Sequence, residues 1–535
     1  MRTVLKTKSR REISMELFMG SVVLIAMGAA TASGAAVARA PFKISRATTY
    51  FTAPVLPSGR INYVAVINAW AKRGVTKANN AGALVAKTLK IKGVGAGYQR
   101  RFYKGLGIRI PKPSQAYREW FDYAQRHFLP KGMKPYVGKA EFLFRKSGDA
   151  TMHPWTTAQY PHVAAWLKVT RPALRLLMRA SKMREFYLPM LTRHAHGHGR
   201  GIPIYILLPN LSTQRSEANA LLRFAMHDIA EGHAGVAAKA LLALCRLGAL
   251  ESRQPTMISN LVSYADSTVA TRAVGFLLAH HDLPKPQEQL LLRGLQGQPP
   301  FASLIPAANL EGRCIMLGAI EQLASGHGRG FNRAMMAAGR FNGKPPLWPN
   351  GEMSQEKKFF ALVRWNRVLK AVNHLSDQTV AALRQPGYLR KKLALQVLAA
   401  RVKMDHVSLA QPPWTAAPLS PRADTQDILN FYVTSLYENP LKVLQYRDDA
   451  ILQQRVVEST LALAIYHADH HAYPRTLAAL APKLLAHRVK DPFTDAEFVY
   501  QRRGAGYTLQ ARSPIHGRHR PKMSAGFAIV VRRGK

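Results

Sequence analysis

Residues 216–250, SEANALLRFAMHDIAEGHAGVAAKALLALCRLGAL, decide the fold class of this chain. In the first half, Ala218, Leu221, Leu222, Ala225 and Ile229 recur at three- and four-residue steps, which places them on one helical face. Gly232 is the expected end of that run, because glycine takes the left-handed conformation at little cost. The four residues from Gly232 to Gly235 suffice to join antiparallel helices. In the second half Ala237, Ala240, Leu241, Leu244 and Leu247 form a stripe of the same width, with Gly248 as its expected end. The stretch reads as an antiparallel helix pair.

The same grammar continues outward. MISNLVSYADS, VATRAVGFLLAHH, QEQLLLRGL, NLEGRCIMLGAIEQLAS, QEKKFFALVRWNRVLKAVNHL and LRKKLALQVLAARV are apolar helical runs with prolines and glycines mostly between them. Residues 216–410 therefore read as a helical-hairpin body, either solenoid-like or compact, since no residue-level repeat fixes a period. Residues 39–215 read as an irregular, mostly helical region in which INYVAVINAWAKRGVTKANNAGALVAKTL is a helix, a break at Gly74-Val75-Thr76, and a second helix. Residues 411–427, rich in proline and polar side chains, read as a linker. Residues 428–535 read as a long helix plus a small α+β tail, in which Phe498, Tyr500, Tyr507 and Leu509 alternate around Gly504-Ala505-Gly506 as a hairpin. The fold class is thus mainly α with a small C-terminal α+β domain, and 535 residues exceed what one core organises.

Charge and the amino terminus point to location. With 76 Lys and Arg against 30 Asp and Glu, the formal charge is +46, far beyond what solubility requires. Such a field attracts polyanions, anionic lipid surfaces or acidic envelope polymers, and adaptation to an acidic exterior produces the same bias. Residues 1–11 carry Arg2, Lys6, Lys8, Arg10 and Arg11 ahead of an apolar run from Leu17 to about Ala38, with Ala30-Thr31-Ala32 and Ala36-Val37-Ala38 as small-residue sites. That is the layout of a signal peptide over residues 1–38, or of a membrane anchor over 17–38 if uncut. Either reading puts the rest of the chain across the inner membrane, in the periplasm or cell envelope. The two cysteines, Cys245 and Cys314, sit in apolar helical runs and read as small buried residues, with pairing as the alternative.

Chemistry-bearing residues are few. His194, His196 and His198 in HAHGHGRG alternate, so in an extended segment their imidazoles would share one side and could hold zinc or nickel; a glycine-bearing loop tolerates the same residues without a ligand. His227, Asp228, Glu231 and His233 in HDIAEGH include a His/Glu pair four apart on one helical face, yet the order is not H-E-x-x-H, and a polar helix end reads equally. Lys90, Lys92, Arg100, Arg101, Lys104 and Arg109 surround Tyr98, Phe102 and Tyr103, a mixture that could track a phosphodiester. In so basic a chain that mixture arises by composition, and specific nucleic-acid binding is not expected. No cofactor motif is present: Gly93, Gly95 and Gly97 do not complete a dinucleotide loop, and there is no P-loop, G-x-S-x-G elbow or C-x-x-C.

Residues 462–509, ALAIYHADHHAYPRTLAALAPKLLAHRVKDPFTDAEFVYQRRGAGYTL, resemble the globular tail of type II secretion major pseudopilins on the strength of Tyr473, Pro474, Asp491, Pro492 and Phe493. The resemblance implies a long helix, a short leucine-rich helix, an Asp-Pro-Phe turn and a strand pair. It carries no calcium site, because the segment SPIHGRHRPKMSAG that follows the strands is basic. The pseudopilin methylation signal is not adjacent to this segment. The chain as a whole is similar to a set of uncharacterised exported bacterial proteins that join such a tail to a helical body, through GRINYVAVINAWAKRGVTKANNA, HVAAWLKVTRPALRLLMRASK and VRWNRVLKAVNHLSD. Those motifs are architectural and bring no catalytic residues. The expectation is an exported envelope protein serving as a non-enzymatic scaffold or binding module for a protein partner. The alternatives are a metal-assisted hydrolase using the His194/His196/His198 loop and a polyanion or anionic-membrane binder.

Overall fold

The computed structural model describes residues 40–89, 91, 94–112, 117–129, 148–193, 200–280, 283–326, 353–405, 421–433, 436–486, 489–504, 506–512 and 528–531. The protein is mainly α-helical. Its first part supplies α1 (Tyr63–Ala71), α2 (Ala81–Thr88), α3 (Ala96–Gly105), α4 (Trp120–His127) and α5 (Pro161–Ala180). An antiparallel pair, β1 (Leu191–Thr192) with β2 (Ile206–Leu207), leads into α6 (Leu211–Ala230), α7 (Ala234–Glu251), α8 (Met257–Ala279) and α9 (Lys285–Gln296). A π-helical turn over Ala307–Gly312 runs into α10 (Arg313–Ala324). Then come α11 (Met353–Leu362), α12 (Trp365–Arg384), α13 (Gly387–Asp405), α14 (Pro421–Ile428) and α15 (Leu441–His470). Last, β3 (Val499–Arg503), β4 (Gly506–Gln510) and β5 (Ala528–Val531) form an antiparallel sheet in that order.

The α6–α7 pair forms as its pattern requires. Ala218, Leu221, Leu222 and Ala225 are buried together with Ala237, Ala240, Leu241, Leu244 and Leu247. Gly232 has φ +81°, the left-handed conformation that ends α6. Gly248, in contrast, does not end α7, which runs on to Glu251. A Cβ there would stand 2.7 Å from the Ser263 carbonyl oxygen of α8 and 3.0 Å from Ser267 Cβ. The glycine serves a close helix crossing, a requirement that no local pattern announces.

Among the described residues two apolar cores result, each drawing on segments far apart in sequence. The larger unites α2–α9 with α15 and with Tyr473, Phe493, Phe498, Tyr507 and Leu509. Within it α15 packs on α8 and α9 and is buried on several sides, through Leu444, Val456, Val457, Leu461, Leu463 and Ile465. The second core joins Phe42, Ile61, Tyr63 and Ile67 to α10, α11 and α12. Cys245 lies in the first core and Cys314 in the second, both buried free thiols. Residues 421–427, read from sequence as the end of a linker, are helical in α14; 411–420 lie outside the described residues. The segment 1–38 does too, and among the described residues no helix is long and apolar enough to cross a membrane.

Buried polar clamps tie the second core together. The Arg313 guanidinium, 1 % exposed, donates to Asn309 Oδ1 at 3.0 Å and Asn373 Oδ1 at 2.9 Å and pairs with Asp377. Asn373 in turn donates to the carbonyls of Ala47 and Thr48, pinning the first described loop onto α12. Arg313→Met is expected to cost about 2 kcal/mol, because it leaves buried acceptors without donors. A urea midpoint equal to that of the unaltered protein would remove this clamp from the account.

Candidate functional site

Two depressions meet where α1 ends. The first, about 390 Å³, lies between the end of α1, Glu185–Phe186, the turn Ser252–Pro255 and the loop around Ala302–Ala307. The second, about 260 Å³, is walled by Arg46, Tyr50, Phe51 and Asn309. Trp70, Arg73 and Pro306 line both, so the two form one continuous groove.

The floor is rigid because polar side chains hold its turns. Asn260 of α8 donates to the carbonyls of Ser252 and Gln254 at 2.8 and 2.9 Å. Ser252 Oγ accepts from the Ala302 amide at 2.9 Å, joining the two walls. The Gln254 side chain is 6 % exposed; its Nε2 donates to the Leu188 carbonyl at 3.0 Å, while its Oε1 has no protein partner. On the rim, Arg253 is neutralised by Glu185 at 2.7 Å. Arg46 and Arg73 are exposed and have no carboxylate partner among the described residues. Arg46 is held 4.8 Å from the centroid of Tyr50, a ring that Arg313 also approaches at 3.9 Å. A cation–π contact thus positions the Arg46 head over the groove. The groove offers two exposed guanidiniums beside the aromatic side chains of Phe51 and Trp70. Among the described residues that line it, no nucleophile stands beside a base.

A second cluster lies inside the larger core. Glu217 of α6, Glu251 of α7 and Asp266 of α8 are all buried. Burial pushes the Glu217 carboxyl up to about 8 and Asp266 up to about 7, and Glu251 is raised well above the ordinary range, first by burial and then by its two acidic neighbours. Gln214 donates to Glu251 at 3.0 Å, itself receiving a hydrogen bond from Asn210. These acids do not meet at metal-binding distance: among the described residues no group of three histidine, cysteine or acidic side chains could hold an ion.

The sequence candidates resolve differently. His194, His196 and His198 lie outside the described residues. His227 and Glu231 do share a face, 3.5 Å apart. Both are engaged by one loop: Thr157 places its hydroxyl 2.9 Å from His227 Nε2 and donates its amide to Glu231 at 2.9 Å. Because hydroxyl and acid meet the same ring nitrogen, no nucleophile–base–acid relay forms. Asp228 turns the other way, to His233 at 3.3 Å. HDIAEGH therefore latches the 156–160 turn onto the end of α6. Tyr98, Phe102 and Tyr103 are buried, so none offers a face to a base, and Arg101 is spent on the carbonyls of Thr192 and Arg193. The groove residues carried no sequence signal of their own: Trp70 and Arg73 end a helix whose pattern reports only its buried side.

Compared with known proteins, the chain matches no family model, no curated protein and no solved structure.

Proposed function

We propose that this is an exported cell-envelope protein that acts without chemistry of its own, as a scaffold or binding module whose groove takes an anionic ligand. The observation that carries this is the pair of exposed guanidiniums, Arg46 and Arg73, which have no carboxylate partner among the described residues and stand beside Phe51 and Trp70. A carboxylate or phosphate next to a flat or ring-shaped face suits that lining, as in an acidic envelope glycan. The charge of +46 would draw such polymers to the protein and the groove would orient them. Location outside the inner membrane rests on the basic and apolar segments of residues 1–38. A protein partner in the envelope is part of the same reading.

The architecture we favour is a compact helical body with a small C-terminal α+β unit. In a solenoid each repeat touches only its neighbours, whereas here α15 packs on α8 and α9 from more than a hundred residues away. For the α+β unit, the pseudopilin-like positions bear internal structural roles. Tyr473 and Phe493 are buried, Asp491 Oδ1 accepts the Phe493 amide at 2.8 Å, and Tyr500 donates to the Pro474 carbonyl at 2.8 Å.

The test is titration with an oligogalacturonate at constant salt. The double variant Arg46→Ala/Arg73→Ala should weaken binding by about tenfold per lost charge-assisted contact. Lys239→Ala/Lys370→Ala, which removes two exposed charges elsewhere, should change it less than about twofold. Equal losses in both variants would mean that the field of the whole protein, and not the groove, binds the polymer.

A further inference from the structure

From the outward face of α13 we infer that this helix docks on an anionic lipid surface. Of the nine most exposed large apolar side chains among the described residues, four lie here: Leu389, Leu393, Val397 and Met404, at 51, 63, 55 and 78 % exposure. The other five are scattered singly over the fold, which is ordinary for a soluble surface. Leu389, Leu393 and Val397 are spaced by four, and exposed Ala400 and Met404 extend the row, so all share one side of the helix over about 22 Å. The opposite side is fixed: Tyr388, Leu395 and Leu398 are buried, and Tyr388 stacks edge-on against Phe493 at 4.6 Å. The stripe is therefore a rigid, pre-formed apolar surface on an anchored helix.

Charge decides what covers it. Arg390, Lys392, Arg401 and Lys403 flank the stripe, and none of them has an ion-pair partner among the described residues. An apolar stripe bordered by arginine and lysine matches an anionic membrane interface, where the apolar side chains enter the acyl boundary and the long cations reach back to the headgroups. The chain's own segments fit poorly as a cover. Residues 406–420, HVSLAQPPWTAAPLS, contain no acid, and residues 327–352 carry four arginines and lysines against one glutamate. A second copy of so basic a protein would add like charge to like.

The test uses the full chain with a reporter on the stripe. Cys245 and Cys314 are buried, so a thiol dye reacts at the new site in Leu393→Cys. An environment-sensitive dye there should shift to the blue with phosphatidylglycerol vesicles, should not with phosphatidylcholine vesicles, and should be quenched by labels on the acyl chains. Adding Leu389→Gln, Val397→Gln and Met404→Gln leaves the charge unchanged and should weaken this partition by tenfold or more. Because the readout is local to position 393, binding through residues 1–38 or through the groove does not imitate it. Three results overturn the inference: no shift with phosphatidylglycerol, a partition indifferent to the glutamine substitutions, or a dye already shielded before vesicles are added. The first would leave an acidic protein helix as the occupant, and the last a segment of this chain.

Discussion

Gly82→Ala is expected to destabilise the protein by about 3 kcal/mol, although alanine is the better helix former. A Cβ at that position would lie 2.2 Å from the carbonyl oxygen of Tyr187 and 2.8 Å from its carbon, and both are backbone atoms that cannot swing aside. The contact is close because Asn80 clamps the two segments. Its Oδ1 accepts the amides of Gly82 and Tyr187, both at 2.9 Å, and its Nδ2 donates to the Tyr187 carbonyl at 3.2 Å. The Ala81 amide adds a hydrogen bond to the Glu185 carbonyl at 2.8 Å, next to the groove rim. Gly97→Ala supplies the contrast. It lies in α3 with nothing within 4 Å, and should raise stability by up to about 1 kcal/mol. Urea unfolding of both variants checks the pair, and equal midpoints would contradict the clamp.

The second large effect is one of pH. In the folded protein Glu217 holds its proton up to about 8 and Asp266 up to about 7, while in the unfolded chain both ionise near the ordinary carboxylate value. Between those limits the folded state binds more protons than the unfolded state, so stability falls as pH rises. The contribution is intact below about pH 4 and is progressively lost toward pH 8, by an amount of the order of 5 kcal/mol for a shift the size of that of Glu217. The protein should therefore melt markedly higher at pH 5 than at pH 8. Glu217→Gln with Asp266→Asn keeps the shape of these side chains but removes their protons from the balance, and should make the profile markedly shallower. A melting temperature that is level across this interval in the unaltered protein would show that these carboxyls ionise freely.

What the sequence disclosed follows from local periodicity. The α6–α7 pair was legible because both helices keep Ala and Leu at three- and four-residue steps, a period that survives in the residue order even though α7 is covered on most sides. Gly248 was misread as a stop because a glycine needed for a helix crossing is locally indistinguishable from one that ends a helix. The place of α15 was not legible because the period of one helix does not name the distant helices that will cover it. The groove was the least visible part. Arg46, Trp70, Arg73 and Gln254 come from segments up to about 200 residues apart, and each alone is an unremarkable loop or helix-end residue. The HDIAEGH motif, conspicuous in sequence, is a latch, whereas the buried carboxyls at 217, 251 and 266 carry no signal in the residue order.

The position of α15 also bears on when this protein can become a protein. Helices α8 and α9 present their apolar sides to a segment that is synthesised some 150 residues later. A ribosome adding about 5–20 residues per second would leave that surface uncovered for about 8 to 30 seconds. During that interval the chain is a client for holding factors and a hazard to its neighbours. If it is passed unfolded through a membrane channel, the delay becomes an advantage, because a body that cannot close early arrives at the channel still threadable.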